Sequence, residues 1–436
     1  MKNKLIKSTF ILLIGGIITK VLGMAIKIIV TRMIGIEGLS LYTLIMPTFG
    51  LLIALAQLGF PIAISTLVAE GKSNNKNMIL GIIPISLLIN IIIISILIIL
   101  APFISNNLLH EPRTYYGIIA TGLVLPFISI SSILRGYFLG KERFLPHIFS
   151  NIMEDILRII ILIIGIPIFL LRGIEVTIFF LIISNIISEL SSIIILTICL
   201  PKNNLDKKDF IPNKKYLKNI FNISLPSTGS RLIGNIGAFL EPIILTFVLL
   251  KIGYDNNFII HEYGVLNGYV LPLLLLPSFF TMAISQSIIP SISKYYSNKN
   301  IKGVKKVVKQ SIIFSLLVGI PFTILVELFP NFLLHFIYNA NEGCNYLRIF
   351  APIFLFSYIQ TPLTSTLQAM NKAKCAMKGT IVGVFLRTIS LFILLFFHIG
   401  IWPIIIASSI NILYVTFHHI YYINYFLNKK STIVLS

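Results

Sequence analysis

The stretch IIPISLLINIIIISILIILAPF, residues 82–103, runs 22 residues without a charged side chain. Wound as a helix, a run of that length crosses the roughly 30 Å hydrocarbon core of a bilayer. Its apolar residues are continuous, whereas the strands of a membrane barrel alternate over about ten residues. Within lipid every backbone N–H and C=O must be satisfied inside the segment, which leaves helices. Similar runs give twelve expected spans, near residues 9–31, 39–69, 78–103, 115–139, 145–171, 175–200, 217–250, 263–292, 310–330, 346–369, 378–398 and 400–427. The charged fraction agrees: 11% Asp, Glu, Lys and Arg, against about 25% in soluble domains. The expected fold is an all-α polytopic membrane protein.

A net charge of +20 would point to nucleic acid in a soluble chain, but its distribution excludes that here. With the N-terminus inside, 24 Lys and Arg fall at cytoplasmic ends, including the runs at 202–218 and 294–309. The opposite loops hold Arg32, Arg113, Arg172 and Lys251. This bias places both termini in the cytoplasm of a multi-pass cell-membrane protein, with the basic loops at the lipid surface. The three cysteines, Cys199, Cys344 and Cys375, lie far apart and show neither a disulfide framework nor metal-ligand spacing. The N-terminal MKNKLIKSTFILLIGG reads as an uncleaved first helix.

The basic segment 201–218 divides the spans six and six, giving an N-terminal lobe over 1–200 and a C-terminal lobe over 219–436. The halves echo one another: GLSLYTLIMP (38–47) and GFPIAIS (59–65) against GVLNGYVLP (264–272) and SIIPSIS (287–293). Such a repeat implies two parallel six-helix lobes around a central cavity.

An ionisable side chain inside a span costs about 2.5–3.5 kcal/mol, so each one needs a partner or a role. Lys20 lies about 18 Å into its span at 1.5 Å per residue, near the midplane. Lys27 follows two turns later on the same face and nearer the outer end, where it either snorkels or joins Lys20. On the fifth span His147, Asn151, Glu154, Asp155 and Arg158 share one stripe. Glu154 and Arg158, at i and i+4, form a candidate structural pair; two carboxylates then compete for one arginine, and the spare one, Asp155 or Glu154, is a candidate proton or Na⁺ site. The seventh span aligns Ser224, Thr228, Arg231 and Asn235, with Glu241 further out before Pro242 as another candidate coupling carboxylate. Arg135 and Arg387 lie closer to cytoplasmic ends and are expected to snorkel. Lys20, Arg158 and Arg231 at similar depth predict a positive cavity for an anionic group, and the arginine fork suits phosphate. A site for organic cations would show unpaired carboxylates and aromatic walls instead. No catalytic constellation, usable nucleotide motif, cofactor motif or metal spacing appears, so an enzyme is not expected.

TKVLG (19–23), IGIEGLSLY (34–42), GFPIAISTLVAEG (59–71), LRGYFLGKERFLPHIFSNIMEDILRI (134–159) and ISLPSTGSRL (223–232) together resemble the stage V sporulation protein B family. So does YGVLNGYVLPLLLLPSFFTMAISQSIIPSIS (263–293). That family belongs to the polysaccharide branch of the multidrug/oligosaccharidyl-lipid/polysaccharide exporter superfamily, alongside lipid II flippases. The resemblance implies transbilayer movement of undecaprenyl-pyrophosphate-linked glycan, here for spore cortex peptidoglycan, by alternating access. Lys20 and Lys27 match the family's cations on the first helix; Ser150, Asn151, Glu154 and Arg158 match its fifth-helix pattern, and Arg231 its seventh-helix arginine. The expected partners are the lipid-linked glycan, membrane lipids and glycan-synthesis proteins, and the expected drive is the membrane potential or a proton or Na⁺ gradient. Two departures stand out. Lipid II flippases carry arginines on the second and eighth helices, where this chain has Gln57, Asn267 and Gln286. Many relatives have fourteen spans, the extra pair forming a lipid-tail groove, against twelve expected here. Two alternatives stay open: a cation-coupled multidrug antiporter, for which carboxylates are indispensable, and a non-transporting scaffold for glycan synthesis, in which the midplane charges are structural pairs.

Overall fold

A helix of 56 residues would reach about 84 Å at 1.5 Å per residue, far more than a bilayer is thick. The first helix of the computed structural model, α1 (Lys2–Gln57), meets this problem by breaking at Gly35, where φ is 65° and ψ is −175°. Only glycine adopts that backbone region readily. The structure describes residues 2–70, 75–201 and 214–435, and among them every regular element is helical. Leu58 and Gly59, both at positive φ, separate α1 from α2 (Phe60–Glu70). The chain continues through α3 (Asn75–Phe103), α4 (Tyr115–Gly140), α5 (Phe144–Leu170), α6 (Ile174–Ile198) and α7 (Lys214–Lys251). Then come α8 (Asn256–Gly264), α9 (Leu271–Leu274), α10 (Ser278–Ser297), α11 (Ile301–Leu328) and α12 (Pro330–Tyr338). The last three are α13 (Cys344–Ala369), α14 (Ala373–Leu395) and α15 (Trp402–Leu435).

Among the described residues eight helical stretches are long and apolar enough to cross a membrane, or nine if the pair Asn256–Leu274 and Ser278–Ser297, bent by 49°, is one span. The long stretch Ile14–Glu70 holds two of the expected spans, one on each side of Gly35. The remaining two are α5 and α13, long helices with Glu154, Asp155 and Arg158 in one and Arg348, Gln360 and Gln368 in the other. Outward faces are apolar: Ile99 is 76% exposed and Leu171 89%. A water-soluble chain does not display side chains of this kind in rows; lipid covers them at no cost. The protein is a multi-pass membrane protein.

The chain forms two compact units, Met1–Ile243 and Ile244–Ser436. The division falls inside α7 rather than in the basic segment 201–218, where the sequence reading parts the lobes. Ile220, in the second turn of α7, is buried in a cluster with Phe60, Ile64, Ile133 and Phe138, so the start of α7 packs with the first unit. Most of that basic segment, 202–213, lies outside the described residues.

In the first unit α4 and α2 approach closely through Gly136 and Gly140. A Cβ at either would meet backbone, Pro61 O or Ser65 O, at 2.6 Å. This is the small-residue contact by which membrane helices bring their backbones together. Arg113 fastens the break in α1: its Nη1 reaches Glu37 at 2.7 Å while Nε holds Glu111 at 2.7 Å. In the second unit α14 carries Gly379 and Gly383, on which His418 and Asn411 of α15 rest. The second unit also repeats the broken-helix theme, with the bend between α9 and α10 answering the break between α1 and α2.

Candidate functional site

Arg135 of α4 is the hub of a buried charged network. Its Nη2 donates to Glu154 of α5, to Glu189 Oε2 of α6 at 3.3 Å and to Ser192 Oγ at 2.9 Å. The three charged side chains are 21%, 17% and 8% exposed, so the ions are largely removed from solvent. Buried charges persist only when paired and hydrogen-bonded, and here one guanidinium serves two carboxylates. Asp155, next to Glu154, lies within electrostatic range of Glu154, Arg158 and Arg135. Arg158 likewise interacts with Asp155 and Glu189 without a direct ion pair. Ionised throughout, the two arginines and three carboxylates leave one negative charge in excess. Arg135 Nε, Arg158 Nε, Asn151 Oδ1 and His147 Nδ1 are buried without a hydrogen-bond partner. Groups of that kind call for water, an ion or a ligand.

Two expectations are corrected. Glu154 does not form the in-helix pair with Arg158; it turns across to Arg135, because a neighbouring helix offers a guanidinium that a bent i, i+4 contact does not match. Arg135 does not snorkel: it points inward, held from two helices. Glu189 is absent from the sequence reading, although its signal was there. Asn185, Ser188, Glu189 and Ser192 stand at i, i+3, i+4 and i+7 on α6, and all four are buried.

Lys20 and Lys27 form a separate pair on α1. Both are exposed and their charges repel one another, and among the described residues neither has an anionic partner. Gly15 of α1 sits against Ile148 of α5, where a Cβ would meet Ile148 Cγ2 at 2.4 Å. As odd-numbered passes the two helices rise in the same direction, which brings Lys20 to about the level of Glu154 at 1.5 Å per residue.

The third part lies on α7. Arg231 is exposed, and its Nη2 donates to Gln57 Oε1 of α1 at 3.2 Å. Asn235, one turn on, donates from Nδ2 to the Arg231 carbonyl at 3.1 Å and rests its Oδ1 over Gly50. Gln57 thus stands where the resemblance implies an arginine, and it receives one instead. Glu241 is 6% exposed, set apart from this face. All nine candidates (Lys20, Lys27, Asn151, Glu154, Asp155, Arg158, Arg231, Asn235 and Glu241) belong to the first unit.

A membrane-embedded helical body with charge organised inside it is the architecture of a transporter. Residues 5–296 match the polysaccharide biosynthesis protein family, and the chain belongs to that family. Residues 268–393 also match the MatE family. Stage V sporulation protein B of Bacillus subtilis is 34% identical over 404 residues, covering 90% of this chain and 78% of that protein. Lipid II flippase MurJ of the same organism is 24% identical over 421 residues, covering 89% and 77%. In structure the chain is similar to an inward-facing multidrug resistance MATE family transporter of the MOP superfamily, with a TM-score of 0.75 at 16% identity over 95% of this chain and 96% of the other. That likeness establishes the exporter fold.

Proposed function

We propose that the protein is a flippase that carries the headgroup of an undecaprenyl-pyrophosphate-linked glycan across the cell membrane while the lipid tail stays in the bilayer. The observation that carries this reading is the state of Lys20, Lys27 and Arg231. Among the described residues Lys20 and Lys27 feel each other's charge and pair with no anion, and Arg231 bonds a neutral amide. Cations at that depth are costly unless an anion meets them, and a pyrophosphate supplies two adjacent anionic centres. Arg158 takes a different role, since it faces the carboxylates of the α4–α6 network.

The kinship with a stage V sporulation protein supports spore cortex peptidoglycan as the destination of the cargo. The basic ends orient both termini to the cytoplasm. Two six-helix lobes alternate in exposing the cations to either side, and no bond of the cargo is made or broken. The excess negative charge around Arg135 supports coupling to a proton or Na⁺, taken by Asp155 or Glu189. Glu154 is the weaker candidate because Arg135 holds it more closely than it holds Glu189. The same carboxylates favour one rival, a cation-coupled antiporter for organic cations, in which the network would be the cargo site.

The test uses proteoliposomes with a fluorescent undecaprenyl-pyrophosphate glycan and an external enzyme that acts on exposed headgroups. Wild-type protein speeds exposure. Lys20→Ala and Arg231→Ala each slow it by about tenfold or more, in line with loss of a charge-assisted contact of about 1.5–3 kcal/mol. Full activity in Lys20→Ala sinks the reading, and proton-driven efflux of an organic cation that survives Lys20→Ala establishes the rival.

A further inference from the structure

The second unit gathers its carboxylates at one end and a cluster of lysines at the other. Its four carboxylates, Asp255, Glu262, Glu327 and Glu342, all lie toward the end where α8 begins and α11 and α12 meet, and no acidic residue follows Glu342 in the chain. The other end is built on the cluster of Ile292, Val304, Val308, Met370, Ala376 and Ile423, and it carries only lysine. Lys302, Lys305, Lys306 and Lys309 stand at i, i+3, i+4 and i+7 on the first two turns of α11, all exposed, opposite the buried Val304 and Val308. Along α11, Glu327 is about 38 Å from Lys302 at 1.5 Å per residue. Lys372, Lys374 and Lys378 join them from the turn between α13 and α14. Ser293 Oγ of α10, the helix that leads into α11, donates to the Ala369 carbonyl at the end of α13 at 3.0 Å.

Aromatic side chains surround this basic end. Tyr421 is 63% exposed, Tyr425 45% and Tyr295 37%, and the Lys372 ammonium sits 4.9 Å from the centre of the Phe426 ring. Tyrosines that are both exposed and clustered mark the depth where hydrocarbon meets headgroups. Lysines just beyond that depth, with no carboxylate paired to them among the described residues, repel one another unless an external anion is present.

We infer that this end of the second unit is a binding platform for anionic phospholipid headgroups, whose occupation neutralises the lysine face of α11 and holds the unit at the anionic leaflet. It is distinct from the cations on α1 and α7, and its ligand is the bulk leaflet rather than the cargo. The occupant follows from charge and depth together: an array of ammonium groups next to an aromatic girdle fits phosphates at the bilayer surface.

The test is native mass spectrometry of the full-length protein in detergent, titrated with phosphatidylglycerol or with phosphatidylcholine of the same chains. The expected result is about tenfold or greater preference for phosphatidylglycerol, weakening as salt rises. Replacing Lys302, Lys305, Lys306 and Lys309 together by Gln brings the preference close to unity, while replacing all four by Arg keeps it. These side chains are exposed, so the variants fold, and thermal unfolding checks it. Equal retention of both lipids, a preference indifferent to salt, or one that survives the glutamine variant overturns the proposal. Retention of an acidic peptide but not of phosphatidylglycerol also overturns it.

Discussion

In the first unit Arg135, Glu154 and Glu189 bury charge across three adjacent membrane helices, whereas the second unit holds its carboxylates at one end and a cluster of lysines at the other. Both units have the same kind of scaffold: helices, a broken pass and small-residue contacts. The difference lies in where desolvation is tolerated. A charge inside the hydrocarbon region costs free energy that the first unit recovers only through its cross-helix network, and its lysines on α1 are left without such recovery. Packing alone does not require those cations, so the first unit holds the chemistry and the second provides an electrically polarised frame.

The comparison breaks most visibly at Arg135. Arg135→Gln strands two carboxylates and is expected to cost about 3–5 kcal/mol of stability. Thermal unfolding in micelles measures it, and combining it with Glu154→Gln and Glu189→Gln should recover most of the loss. If the triple variant is as unstable as the single one, the network is not a unit. Next in size are the glycine contacts. Gly136→Val forces a side chain against the backbone of Pro61 and should cost at least about 1–3 kcal/mol. Gly379→Val in the second unit meets the movable ring of His418, so its cost should be smaller and relieved by His418→Ala. Lys20→Met should act in the opposite sense on stability. Removing an unpaired membrane cation should raise stability, by at most about 2.5–3.5 kcal/mol and read as a higher unfolding temperature, while slowing transport about tenfold or more. A fall in stability would mean that Lys20 has a structural partner after all. The smallest effect belongs to Lys306→Gln, an exposed single lysine of the second unit, expected within about 0.5 kcal/mol of wild type in the same melts.

Much of the fold was legible because lipid imposes simple rules. Continuous apolar runs marked the passes, and the gap between the runs 9–31 and 39–69 bracketed Gly35. The stripe on α5 was legible too, from its period alone. Its pairing was not, because periodicity places residues on a face but does not say which neighbour that face meets. Only packing sets α4 beside α5 and α6, and so Arg135 beside Glu154 and Glu189. Arg231 illustrates the same limit: its depth could be read from the chain, but its bond to Gln57, 174 residues away, could not.

The break at Gly35 also bears on how topology can be mapped. The first two passes share one continuous backbone with no connecting loop, so nothing there can host a protease site, a glycan acceptor or an inserted reporter without prising the passes apart. The flanking Glu37 is clasped by Arg113. A reporter for the same side of the membrane belongs instead at the short turn around Arg172 and Gly173, between α5 and α6, where Leu171 and Arg172 are exposed and α6 starts afresh. Any scheme that counts passes by tagging every loop will find one loop fewer than the number of crossings requires.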